Sequence, residues 1–329
     1  MTRRPPGAEN AYVICGFTAA MVTEMTREGG PRPDELREAV DTAISRMGTE
    51  SSHPALALCR PVAAILSGDV EGALGQLDLI ADHPDPWTRA ARHVFLAYLT
   101  LNQADIDRAA RESEAAYAGF REVGDRWGMG SSLVGMAEVA LARGRPDEAV
   151  RAGEQAYAFI TEGISPDQGG VLLIQTGRAR AMAGDFAGAR ADLERGVRSA
   201  ERAGEHGDAA GGWVWLSEIA RREDDLDQAR SLLDRAVSLL EPKKARVDLG
   251  TSLGMTFSKR GCVAEQEGDL EEAVRWHEKA FRAIERIALM PVDRLIGTLV
   301  QGVVALATAQ GEHVRAAELL GGAHTAGST

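Results

Sequence analysis

A turn residue followed five positions later by alanine recurs along this chain: Gly68/Ala73, Ala104/Ala109, Gly144/Ala149, Gly184/Ala189, Asp224/Ala229, Gly268/Ala273 and Gly311/Ala316. Successive turns are 36, 40, 40, 40, 44 and 43 residues apart. A period of that size constrains the fold strongly, because each repeat is one supersecondary unit that cannot bury its own apolar face and must stack on its neighbours.

Stretches of helical period flank each turn, as in "GMGSSLVGMAEVALA" before Gly144 and "PDEAVRAGEQAYAFI" after it, so the unit is helix, turn, helix. Glycine at the turn fits the left-handed residue that ends a helix, and the acidic residue or proline beside it fits the start of the next. Other positions repeat in the same frame. Seven residues before the turn stand Ala97, Ala137, Gly177, Ser217 and Gly261, all small. Eleven before stand Leu133, Leu173, Trp213 and Phe257, all large, and twelve after stand Ala116, Ala156, Gly196, Ala236 and Ala280, again small. Small beside large at fixed register is how packed helices interlock. Aromatic residues make up only 5% while Ala, Leu, Arg and Glu are abundant, which favours an all-α chain.

These positions mark the tetratricopeptide repeat, and the chain resembles that family. The period near 40 exceeds the family's 34, so longer helices or connections are expected, with armadillo- or HEAT-like pairs as the structural alternative. The resemblance implies an all-α, right-handed α-solenoid of about eight antiparallel helix pairs forming a single domain over residues 1–329. Residues 1–52 would be an atypical N-terminal pair, 53–310 the regular repeats and 311–329 an abbreviated last repeat.

Three segments carry a narrower resemblance. "HPDPWTRAA" (83–91), "FREVGDRWGMGSSLVGMAEVALARGRPDEAV" (120–150) and "RAAELLGGAHTAG" (315–327) are together similar to the C-terminal repeat region of large actinobacterial transcription regulators of the STAND, LuxR-like or SARP type. In those proteins a nucleotide-switch ATPase and a DNA-binding domain accompany a tetratricopeptide sensor. This chain has no GxxxxGK[ST] phosphate loop and no visible helix-turn-helix, so the resemblance implies the sensor portion or a separate protein derived from it.

By the same resemblance the first helix of each pair lines a concave groove. Six residues before each turn lie Tyr98, Glu138, Arg178, Glu218 and Cys262; three further on lie Leu101, Leu141, Ala181, Arg221 and Glu265. The implied partner-binding residues are Tyr98, Leu101, Glu138, Leu141, Arg178, Glu218, Arg221 and Glu265, with an apolar end and a charged end suited to a peptide. The plainer alternative is that Glu138, Arg178 and Glu218 alternate in sign and pair between stacked repeats.

Other features argue mainly by exclusion. A net charge of -12 without a long basic block opposes direct nucleic-acid binding. No apolar run approaches the ~18 residues of a membrane span, and "AYVICGFTAAMVTEM" reads as a first amphipathic helix, so the expected location is the cytoplasm. Cys15, Cys59 and Cys262 are far apart and expected to be reduced, no metal or cofactor site is expected, and His93 and His277 are read as packed or surface residues. Trp213 is expected in the core, whereas Trp87 and Trp127 are expected just ahead of a first helix, stapling the chain to the preceding repeat. "EPKKARVD" (241–248) is the clearest basic loop, and Leu319 and Leu320 suggest self-association through the C-terminal end.

The expected function is therefore non-catalytic: a module binding a protein or peptide, serving as the sensor of a bacterial transcription regulator with an attached or separate ATPase or DNA-binding partner. A stand-alone cytoplasmic adaptor is the alternative, and an enzyme is disfavoured because no nucleophile–base pair, metal set or phosphate loop stands out.

Overall fold

The computed structural model of the chain describes residues 54–66, 68–161, 169–240 and 247–285. Among them it is all-helical. After a short 3-10 turn at Pro54–Leu58 come α1 (Cys59–Leu66), α2 (Val70–Leu79), α3 (Pro86–Asn102), α4 (Ile106–Val123), α5 (Arg126–Ala142) and α6 (Pro146–Thr161). There follow α7 (Gly170–Ala183), α8 (Phe186–Ala203), α9 (His206–Arg222), α10 (Leu226–Leu240), α11 (Val247–Glu267) and α12 (Leu270–Glu285). These are six helix–turn–helix pairs. The expected N-terminal pair, the last repeat with Gly311, Leu319 and Leu320, and most of the 241–248 loop lie outside the described residues.

The turn explains the sequence period. Every aligned turn residue within the described chain has a left-handed backbone: Gly68, Ala104, Gly144, Gly184, Asp224 and Gly268, with φ between 60 and 87°. At each, the next residue's N–H closes back onto the carbonyl five residues earlier, as in Asp105 to Thr100 at 2.9 Å, Arg145 to Ala140 at 2.8 Å and Asp225 to Ala220 at 2.9 Å. This bond satisfies a carbonyl that the end of the first helix would otherwise leave open. The aspartate that follows then begins the second helix. Asp69, Asp105, Asp185, Asp225 and Asp269 each accept a backbone N–H from three residues on. After Gly144 the aspartate is replaced by Arg145-Pro146, and proline supplies the first helical residue instead. One residue stops a helix and its neighbour starts the next, which is why the pair recurs.

Helix length accounts for the long period. In the repeat beginning at Pro86, a 17-residue helix, a three-residue turn, an 18-residue helix and the two-residue link Gly124-Asp125 complete 40 residues. Gly124 and Gly204 are left-handed too, so the return connections after α4 and α8 use the same stop.

The small residues sit where helices touch. Ala73, Ala109, Ala149, Ala189, Ala229 and Ala273 are buried to 1% exposure or less, as are Ala116, Ala156, Ala236 and Ala280. Gly196 allows no larger residue: a β-carbon there would stand 2.8 Å from the Gly170 carbonyl oxygen and 3.0 Å from the Ile174 nitrogen, both backbone atoms of the paired helix.

The chain divides into two compact units, with α1–α6 in the first and α7–α12 in the second. In the first, Leu77, Leu96, Leu99 and Phe120 form the core with Trp87. Trp87 lies within the first turn of α3 and meets Phe120 edge-on at 5.8 Å, and its indole N–H donates to the buried carboxylate of Asp125. Trp127 likewise lies inside α5 and packs against the same cluster. In the second unit Ile174, Leu193, Leu216, Ile219, Leu233 and Leu240 are buried. Trp213 packs against both clusters of that unit but is only partly buried. Its N–H reaches Glu201 at 3.1 Å, and the Arg235 guanidinium covers its ring at 3.9 Å. Within each unit first helices also touch the next first helix: α3 with α5, then α7 with α9 and α9 with α11.

Candidate functional site

Residues two, six, nine and thirteen before each turn fall on one stripe of a first helix, since steps of three and four return to the same face. In the second unit that stripe carries Val171, Gln175, Arg178 and Met182 on α7, Gly211, Trp215, Glu218 and Arg222 on α9, and Met255, Lys259, Cys262 and Gln266 on α11. Most of these are exposed or half-buried, and Val171 and Met182 are among the exposed large apolar side chains of the described chain. Glu218 is the exception at 3% exposure.

A cluster of charge surrounds Glu218. One carboxylate oxygen accepts from Arg221 at 2.8 Å and Arg222 at 2.9 Å; the other accepts from Arg221 at 3.1 Å and from Lys259 of α11 at 3.2 Å. Burial works to raise the Glu218 pKa, but the hydrogen bonds and charges of Arg221, Lys259 and Arg222 outweigh it and hold the group down to about 2. The Glu218 bonds likewise raise the Arg221 pKa against the opposing effect of burial. From this centre the network reaches both neighbouring first helices. Arg222 extends to the Ala181 carbonyl of α7 at 3.4 Å, and Arg221 donates to Gln266 of α11 at 2.8 Å. Gln266 in turn donates to Asp224 at 3.0 Å.

A second group lies between α11 and α12. His277 is buried with its Nε2 3.0 Å from Glu265, and its ring fills the space that a side chain at Gly261 would need. Burial raises the pKa of the Cys262 thiol on the neighbouring stripe. His93 in the first unit pairs with Glu112 of α4 at 2.6 Å.

The expected site residues fall as follows. In the first unit Tyr98 is exposed and Glu138 half-buried, while Leu101 and Leu141 are buried, Leu101 against Ala109, Ala110 and Val139. In the second unit Arg178, Arg221 and Glu265 are half-buried and Glu218 is buried. Glu218 and Arg221 are in direct contact, and Gln266 carries their network along α11 beside Glu265. Arg222, Lys259 and Gln266 complete the cluster and were missed from sequence. Arg222 was legible as the i+4 partner of Glu218; Lys259 was not, because the 44-residue spacing hides which turn of α11 stands opposite. Ion pairs between repeats form at the residue before the turn, Arg143 with Asp107, Glu223 with Arg190 and Glu267 with Arg230, and at Glu218 with Lys259.

Among the described residues, no group of three or more His, Cys, Asp or Glu side chains has a metal-holding arrangement. No described helix is long and apolar enough to cross a membrane.

No protein-family model matches the chain, and no curated protein does. Solved structures do match. A STAND-class signal-transduction ATPase with a tetratricopeptide repeat sensor, from Pyrococcus horikoshii, aligns at TM-score 0.58 and 14% identity over 89% of this chain and 43% of its own. The Cut9–Hcn1 hetero-tetramer of the APC/C aligns at TM-score 0.61 and 12% identity, over 96% of this chain and 56% of that one. A Rap protein complexed with competence and sporulation factor aligns at TM-score 0.61 and 14% identity, over 98% of this chain and 92% of that one. The chain thus spans less than half of the STAND protein it matches. At these identities the likeness establishes the fold: the helix pairs of this chain are tetratricopeptide-like and belong to an α-solenoid architecture.

Proposed function

We propose that the chain is a non-catalytic module that binds a protein or peptide partner on its first-helix faces, and that it acts in the cytoplasm as the sensor or regulatory portion of a bacterial transcription regulator. The observation that carries this reading is the stripe on α7, α9 and α11, where exposed apolar side chains at Val171 and Met182 stand beside the cations around Glu218. A face that only joined helices would be covered by them; this one keeps apolar and charged groups together at the surface.

The regulator role draws support from two sources: the three segments similar to actinobacterial regulators, and the likeness in fold to a STAND protein described as carrying a tetratricopeptide repeat sensor. In such an arrangement, a partner preferring one curvature of the array would bias the state of an attached or separate ATPase or DNA-binding domain.

The test is capture of partners from a lysate of the source organism, comparing the native chain with Arg178→Glu. A partner retained by the native chain and lost from the variant is the expected result. Identical recovery by both would remove the first-helix stripe from the account, and recovery of partners with no ATPase or DNA-binding component would leave an adaptor rather than a sensor.

A further inference from the structure

We infer that the first-helix face of the second unit reads an acidic peptide segment, seating a partner carboxylate on Arg222 and Lys259 next to apolar side chains that lie on Val171, Met182 and Trp215. This rests on the reading of that face as a partner surface and adds the chemistry of what it takes.

The chain as a whole carries -12, yet at this point three cations surround one carboxylate. The next carboxylate along α11, Glu265, makes its hydrogen bond to His277. Glu218 is also filled as an acceptor, with two donors on each oxygen. It neutralises part of the cluster from beneath without offering itself to a ligand, being only 3% exposed.

The cations above it keep donors to spare. Among the described residues Lys259 donates to Glu218 alone, and an ammonium has three N–H groups. Arg222 uses its Nε on Glu218 and makes only a long 3.4 Å contact from Nη1 to the Ala181 carbonyl. Its side chain is 39% exposed, which makes it the most accessible of the three. Glu218 therefore fixes the cations in place before any partner arrives. Such pre-organisation lowers the entropy lost when an anion binds.

The surroundings select among anions. An exposed valine and methionine on α7 and a half-buried indole on α9 share the stripe with the cations. They suit apolar side chains of a peptide better than the sugar and phosphate of a nucleic acid.

The experiment is fluorescence anisotropy of the full chain with a labelled peptide of alternating glutamate and leucine, and with matched peptides carrying glutamine or lysine in place of glutamate. The glutamate peptide is expected to bind about tenfold more tightly than the glutamine peptide, with the difference falling as salt is raised. Arg222→Gln is expected to abolish most of that difference. Glu218→Gln, checked for native melting by circular dichroism, is expected to weaken the glutamate peptide more than the glutamine peptide, because the cations it holds in place are released; equal weakening of both peptides would show a structural role only. Equal binding of the glutamate and glutamine peptides would overturn the inference while leaving a partner-binding face. Binding of a single-stranded oligonucleotide of equal charge as tightly as the glutamate peptide would also overturn it. Failure of every peptide, while a captured partner still depends on Arg178, would refute the acidic reading but not the proposed function.

Discussion

Lys259 on α11 places its ammonium 3.2 Å from the Glu218 carboxylate on α9, joining two first helices whose turns are 44 residues apart in sequence. This contact makes the charge cluster a property of stacked repeats rather than of one helix. Arg221 and Arg222 would pair with Glu218 in an isolated helix, but only stacking brings the third cation. Losing one partner of such a group is costly when the remaining charge stays buried.

Acid should therefore weaken this cluster in a defined window. The Glu218 pKa lies at about 2 in the folded chain against an ordinary 4.5, so its contribution is fully present above the unfolded value and disappears as pH falls through the folded one. Between those limits, the urea midpoint of the native chain should fall more steeply with decreasing pH than that of Glu218→Gln. Parallel curves for the two proteins would show that the carboxylate is not held by its neighbours as described.

Gly196 tests the closeness of the helix pairs. Because a β-carbon would meet backbone atoms of α7 at 2.8 and 3.0 Å, the helices must move apart to admit it. Gly196→Ala should destabilise by about 1–3 kcal/mol, even though alanine favours a helix more than glycine does. A gain in melting temperature would mean that α7 and α8 are packed more loosely than these distances require.

The left-handed turns offer a test of opposite sign. Ala104 and Asp224 hold φ of 60 and 65° where other repeats use glycine. Ala104→Gly should stabilise by roughly 0.5–1 kcal/mol, because relief of the β-carbon strain exceeds the added freedom of the unfolded chain. The same replacement at Gly144 in reverse, Gly144→Ala, should destabilise by a similar amount, and equilibrium urea unfolding of both variants would decide the matter.

Trp87 and Asp125 join successive repeats of the first unit through a buried hydrogen bond. Asp125 also accepts from the backbone N–H groups of Trp127 at 3.0 Å and Gly128 at 3.2 Å, capping α5. Trp87→Phe removes the indole donor but leaves the cap, and should cost about 1–3 kcal/mol. Asp125→Ala removes both and should cost more, which thermal unfolding of the pair would rank.

Most of the repeat was legible because it is encoded locally. The left-handed stop, the capping aspartate and the small residue five positions on each act within a few residues, so their spacing alone locates the helix pairs. The partners of Glu218 were harder to read, because side-chain pairing across a stack depends on register between helices that sequence distance does not report. Glu218 turned to Arg221 and Arg222 on its own helix and to Lys259 one repeat on. Leu101 and Leu141 were read as lining a strip beside the groove, yet both are buried, Leu101 against Ala109, Ala110 and Val139. Trp213 shows the same limit: its register is that of a core residue, but its indole is too large to be enclosed and its polar edge turns outward to Glu201.

Hydrogen–deuterium exchange with a captured partner distinguishes binding on the first helices of the second unit from binding on its second helices. Added protection is expected along Gly170–Ala183, His206–Arg222 and the part of Val247–Glu267 around Lys259, with little change in the second helices Phe186–Ala203 and Leu226–Leu240. Protection confined to the second helices, with the first helices unchanged, would contradict binding on the first helices.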